Sequence, residues 1–225
     1  MARDWESSFS SWAQPPGKTE QEKCDNAESA IRKAIASSEQ LSSRDVSVFP
    51  QGSYRNRTNI RTESDVDIAI RSRATFFFEL PEGTEAKDFG ISTPAAYSFD
   101  QYKADVHKAL SEHLGAHAVT RGKKAFDIHE NTYRVDADGL ACFEYRRYWA
   151  DGTYREGVAF LPDGGSLVFN YPDQNYENSV AKNDATGRRF KSVVRILKAL
   201  RSEMASQRVA IAAKTPSFLI ECLVW

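Results

Sequence analysis

Phe49-Pro50-Gln51-Gly52-Ser53-Tyr54-Arg55-Asn56-Arg57-Thr58-Asn59-Ile60-Arg61-Thr62-Glu63-Ser64-Asp65-Val66-Asp67-Ile68-Ala69-Ile70 is the stretch that decides how this chain is read. A β-prone run over 46–49 ends in a Gly-Ser turn, a polar segment follows, and a second run carries two carboxylates before turning apolar at Ile68. Side chains at i and i+2 of a strand project from one face, so Asp65 and Asp67 point together. Two like charges held that close are tolerated only if a cation, a shared proton or open water relieves them. A divalent metal is the strongest candidate. Magnesium is hard and oxygen-loving, and takes one or two protein carboxylates together with substrate phosphates and waters. Gly52 lets backbone approach a ligand closely, and the amides and hydroxyl from Ser53 onward suit a triphosphate, above all if a helix begins there. Gly-Ser alone, or Asp-x-Asp alone, is common in loops and caps; the ordered combination is far more specific.

The whole chain sets the bounds. Its 225 residues suit one large domain or two intimate lobes. A formal net charge of −1 supplies no global basic field for avid nucleic-acid binding, so no stable nucleic-acid partner is expected and substrate binding must rest on local clusters. Cys24, Cys142 and Cys222 are widely separated and follow no metal-ligand spacing, which favours reduced, buried thiols in a cytoplasmic protein. Neither a long apolar segment nor a leader-like N-terminus is present, so no membrane association is expected.

Outward from the motif, Thr19-Glu20-Gln21-Glu22 has capping-box spacing, and Ala27, Ala30, Ile31, Ala34 and Ile35, with Leu41 beyond them, fall on one helical face. The spacing of Trp5, Phe9 and Trp12 suits packing against a neighbouring element. A helix is expected over 99–114, short strands over 118–120, 125–129 and 133–143, and a hairpin joining 154–160 to 166–170. Residues 175–178 read as a polar-aromatic linker. From Gly187 the chain turns basic and helical, with most cations on the solvated side. Thr215-Pro216-Ser217 opens a last apolar helix, with Thr215 as its N-cap and Glu221 on its exposed side.

The strand over 133–143 carries a second acidic pair, Asp136 and Asp138. Geometry alone leaves open which of them would join the first pair.

Gly52-Ser53 followed by Asp65-Val66-Asp67 resembles the signature of polymerase-β-type nucleotidyltransferases. The fuller string from Gln51 to Arg61, with Ser64-Asp65-Val66-Asp67, is similar to the bacterial CD-NTases, cyclic-oligonucleotide synthases, and to their clade E in particular. This resemblance implies an α/β (α+β) fold: a polymerase-β-like nucleotidyltransferase lobe with a mixed twisted sheet over 1–174, packed against a helical lobe that starts in 175–225 and continues past Trp225. It implies Asp138 as the third acid, because Asp138-Gly139-Leu140-Ala141-Cys142-Phe143 matches the family's pattern better than the run from Asp136; Gly139 departs from the usual β-branched residue. It also implies two Mg²⁺ ions, with Mn²⁺ as an alternative, on Asp65, Asp67 and Asp138. Nucleoside triphosphates would be held by Gln51, Gly52, Ser53, Lys198 and Ser217, with Asn170 contacting a base, a pyrimidine edge being one its amide can pair with. The implied role is a cyclic di- or trinucleotide messenger in anti-phage signalling, its effector reached through the product rather than by direct binding. A non-cyclising transferase acting on RNA or another acceptor would share all three acids. A non-enzymatic nucleotide-binding module would be expected to have lost at least one.

Overall fold

The computed structural model describes residues 3–61 and 65–225; Ser64 of the quoted motif lies outside them, as do Met1, Ala2, Thr62 and Glu63. The motif builds the middle of a mixed sheet. β1 (Val46–Pro50) runs antiparallel to β2 (Val66–Glu79), which lies parallel to β5 (Ala137–Tyr148). The opposite edge of β5 is shared. Its first residues pair with β4 (Phe126–Ile128), itself joined to β3 (Val119–Arg121), and its last residues pair with β6 (Tyr154–Phe160), which carries β7 (Val168–Asn170).

Strand alternation divides the core. Val66, Ile68 and Ile70 of β2 join Ala137, Ala141 and Phe143 of β5 under two helices, α2 (Lys18–Ser37) and α4 (Phe99–Leu114). Ala69, Leu140, Cys142, Val158 and Phe160 form a smaller cluster on the other face. Asp67 and Asp138 lie two residues before Ala69 and Leu140, so both carboxylates belong to that second, less covered face. Gly139 belongs to the first. A methyl group there would crowd Ile128 of β4 and meet Ile70 and Leu110 of α4 at ordinary contact distance, so the glycine that interrupts the family's pattern sits in a closely packed part of the core.

The mixed sheet, the helix over 99–114 and the hairpin follow expectation, while several boundaries move for local reasons. The strand expected over 133–143 starts only at Ala137, because the Asn131 side chain accepts from the backbone N–H groups of Tyr133 and Arg134 and holds them in a turn. Residues 175–178 are not a linker but part of α5 (Pro172–Ala185), opened by Pro172, whose fixed φ and missing N–H suit a first turn. The helix α2 starts at Lys18 with Gly17 as N-cap, so Thr19 caps nothing.

The chain enters on a further helix, α1 (Trp5–Trp12), whose rings form a ladder at 5.6 and 5.9 Å and whose end is tied to the C-terminal helices. Arg195 of α6 (Phe190–Ser206) donates to the carbonyls of Ala13 and Arg57, at 2.8 and 2.6 Å, and is buried. It is not one of the solvated cations that composition suggests. Beyond the short α3 (Gly52–Asn56) and α7 (Ala210–Lys214), the described chain ends in α8 (Ser217–Val224). The N-cap of α8 is Pro216, and the Thr215 hydroxyl donates backward to Ile211 instead of capping it. Cys24 and Cys142 are buried as expected, but Cys222 is exposed.

Candidate active site

Asp67 and Asp138 are direct neighbours across the parallel β2–β5 ladder. With Asp65, just before β2, they line one cavity of about 350 Å³. Gly52, Ser53 and Asn56 of α3 form another wall, and Lys198 of α6 with Ser217 of α8 a third. Asp136 is not in that wall. It precedes β5, its carboxylate accepts from the backbone N–H of Glu130 at 2.7 Å, and its carbonyl accepts from Val66.

The crowding of acids shows in their proton affinity. Burial pushes Asp67 up to about 6, the Asp138 and Asp65 carboxylates add to the rise, and Lys198 opposes it. Burial and the neighbouring acids Asp127, Asp65 and Asp136 also raise Asp138. Asp65 rises through burial, Asp136 and Glu130. Each of these shifts measures a cost that a cation removes. The donors are hard carboxylate oxygens with no thiolate or imidazole among them, which suits Mg²⁺ or Mn²⁺. Among the described residues no group of three or more His, Cys, Asp or Glu is already arranged to hold an ion. The acids therefore share a cavity without forming a closed ligand shell.

Gly52 fixes the spacing between the turn and the acids. Its φ of +63° is left-handed, and a Cβ there would strike the Asp67 carboxylate. The next anchor is a backbone bond of 2.8 Å from Gln51 N–H to the Asp67 carbonyl. Gly52→Ala is therefore expected to cost about 1–2 kcal/mol in backbone strain and, by displacing Asp67, to lower turnover on the order of 10²-fold. Thermal melts and an initial-rate assay check this; a variant as stable and active as the parent refutes it.

The C-terminal residues 177–225 match the family model described as the cGAS/DncV-like nucleotidyltransferase C-terminal helical domain. Over its whole length the chain is 44% identical to a cyclic dipyrimidine nucleotide synthase, CdnE, of Legionella pneumophila, covering 77% of that protein. It is also 41% identical, again over its whole length, to the CdnE of Cecembia lonarensis, covering 76% of it.

The chain belongs to the CD-NTase family.

It is therefore a nucleotidyltransferase of the cyclic-nucleotide synthases. Its fold agrees: a solved Rhodothermus marinus CdnE c-UMP-AMP synthase, with Apcpp and Upnpp bound, superposes with a TM-score of 0.85 at 32% identity. That match covers 97% of this chain and 74% of the other.

Within this CD-NTase the remaining expected residues separate into two places. Gln51 and Asn170 lie in an adjoining space of about 640 Å³ between β7 and α5, which shares Gly52, Asp67, Asn175 and Phe218 with the acidic cavity. Ser217 stays in the acidic cavity, where its hydroxyl accepts from Arg201 at 2.9 Å. Lys198 is fully buried, its ammonium 2.6 Å from Glu221. Glu221 is thus not on the exposed side of α8 but buried in the cavity wall. Sequence reasoning passed over it, and over Asn56, Thr58, Asn175 and Phe218. One signal for Glu221 was available: it follows Ser217 by four residues, so the two share a helix face, and it is the lone charge in an otherwise apolar helix.

Proposed function

We propose that this CD-NTase joins nucleoside triphosphates, at least one of them a pyrimidine nucleotide, into a cyclic di- or trinucleotide. The observation that carries the reading is the single cavity in which Asp67 and Asp138 from neighbouring strands, with Asp65 just before the first of them, face a Gly-Ser turn and a buried lysine. Asp65, Asp67 and Asp138 are the residues to hold Mg²⁺. When bound there, two ions supply activation of an attacking hydroxyl and neutralisation of a departing pyrophosphate.

The chain's own residues do the rest. The Ser53 hydroxyl and neighbouring amides orient the triphosphate, and Lys198 offsets phosphate charge as it shifts toward the leaving group. Ser217 supports the same wall, and Gln51 lies beside it. Asn170 reads a base from the adjoining space, where its amide offers both a donor and an acceptor. No residue is needed as a covalent nucleophile, because a nucleotide hydroxyl attacks the α-phosphorus in line. The division of labour follows the chain: the sheet carries the acids, and the helices that begin with α5 at Pro172, rather than at 175, carry Lys198 and Ser217.

Pyrimidine use is supported by the names of the Legionella and Cecembia relatives and by the uridine analogue in the Rhodothermus structure. The family resemblance supports anti-phage signalling through a downstream effector. A cytoplasmic site of action is supported by three widely separated free cysteines, as a reducing compartment keeps them; among the described residues no helix is long and apolar enough to cross a membrane.

Incubation with Mg²⁺ and four nucleoside triphosphates, each α-labelled in turn, tests this directly. After phosphatase treatment a resistant product labelled from UTP or CTP is expected. A product labelled only by purines refutes the pyrimidine assignment, and only linear or acceptor-linked label refutes cyclisation.

A further inference from the structure

A carboxylate is an odd wall for a pocket that must take a triphosphate, and Glu221 is one. It is 7% exposed, and Lys198 is 0% exposed. One Glu221 oxygen accepts from the Lys198 ammonium at 2.6 Å and from the Thr58 hydroxyl at 2.7 Å; the other faces the Asn56 amide at 3.4 Å. Stability alone is a poor reason for such a group, because a buried ion pair is often no better than an apolar pair of the same volume.

The partners suggest another reason. Thr58 N–H donates to the Ser53 carbonyl at 2.9 Å, so the residues that clamp Glu221 are tied to the turn proposed to cradle the phosphates. An ammonium has three donors. Glu221 takes one and the Thr58 hydroxyl, at 3.4 Å, takes at most a second, which leaves a third N–H on a side chain that lines the cavity and acts electrostatically on Asp67.

We infer that Glu221 is a positioning residue: through Asn56 and Thr58 it reads the position of the Gly52–Ser53 turn and holds the Lys198 ammonium against the same cavity, setting affinity for the triphosphate tail. The inference rests on the reading of this cavity as the triphosphate site. Glu221 itself binds no phosphate, since like charges repel. Its effect on a nucleotide passes through Lys198.

Titration calorimetry with a non-hydrolysable nucleoside triphosphate, and with the matching monophosphate, separates the two ideas across four proteins: the parent, Lys198→Met, Glu221→Gln and the double variant. Lys198→Met and Glu221→Gln are each expected to weaken triphosphate binding about tenfold, which is about 1.4 kcal/mol, and to leave monophosphate binding unchanged. The double variant should bind no more weakly than Lys198→Met alone. If Lys198→Met binds the triphosphate as the parent does, the phosphate reading of this wall fails and the inference with it. If Lys198→Met weakens binding while Glu221→Gln leaves it equal or tighter, only the inference fails. Equal weakening of mono- and triphosphate by Glu221→Gln, or additive losses in the double variant, also overturns it. Because Glu221→Gln strands a buried cation, melting temperatures accompany each titration. Should that variant not fold, Glu221→Asp keeps the charge but withdraws it by one methylene, and the same selective loss of triphosphate affinity decides.

Discussion

Asp67→Asn is expected to lower synthesis of the cyclic product on the order of 10³-fold, the scale at which removing one preorganised charged contact acts on a reacting centre, while the fold survives. The survival follows from the same crowding that makes the site useful. Asp67 has its carboxyl pushed up to about 6 from an ordinary 3.8, by burial first and then by Asp138 and Asp65. A group whose folded-state pKa is raised contributes stability that is present below its unfolded pKa and is lost as pH rises through the folded one. The metal-free parent should therefore lose stability between about pH 4 and pH 6 on account of this side chain. A carboxamide at this position cannot ionise, so the variant should lack that decline and melt higher than the parent at neutral pH. Added Mg²⁺ should close most of that gap by stabilising only the parent, by about 2.7 kcal/mol once free metal is a hundredfold above its dissociation constant. Melting curves over pH, with and without Mg²⁺, and a product assay form the check. A variant retaining more than a tenth of parental turnover, or a Mg²⁺ response equal in both proteins, removes Asp67 from the metal site.

That side chain shows what the sequence made legible. Asp65 and Asp67 could be placed together from strand parity, and Val66, Ile68 and Ile70 behave as the parity requires, buried under α2 and α4. Parallel pairing with β5 was not visible in parity. It is a long-range match, and which residue of 133–143 lies opposite Asp67 depends on where that strand begins. Asn131 decides this by turning the chain back on itself before Ala137, and an Asx turn leaves only an ordinary Asn in the sequence. Only the family resemblance singles out Lys198, and its partner Glu221 reads as exposed in the sequence, for a related reason. On a helix with several cations composition favours solvation, and only the contact between α6 and α8 turns one lysine inward to meet a carboxylate 23 residues later. Long-range partners of charged residues are the part of a site that local pattern does not encode.

The same register makes Asp138 and Asp136 behave as opposites. Asp138→Ala is expected to lower turnover on the order of 10²- to 10³-fold, with stability little changed or improved, because its carboxylate is one of the mutually repelling groups and burial and Asp127, Asp65 and Asp136 raise its pKa. Asp136→Ala should do the reverse. It removes the acceptor for the Glu130 N–H at 2.7 Å, a loss of about 0.5–1.5 kcal/mol, and leaves turnover within a few-fold of the parent, since Asp136 does not line the cavity. Asp138 stands opposite Asp67 in the ladder, whereas Asp136 lies before β5 begins and its carboxylate accepts from the Glu130 N–H. Purified variants compared by melting temperature and by initial rate at saturating Mg²⁺ and nucleotide give both readouts at once. Equal loss of turnover at the two positions, with both proteins folded, would show that the acid opposite Asp67 in the ladder does not choose the third ligand, and the metal site would have to be rebuilt around the turn that precedes β5.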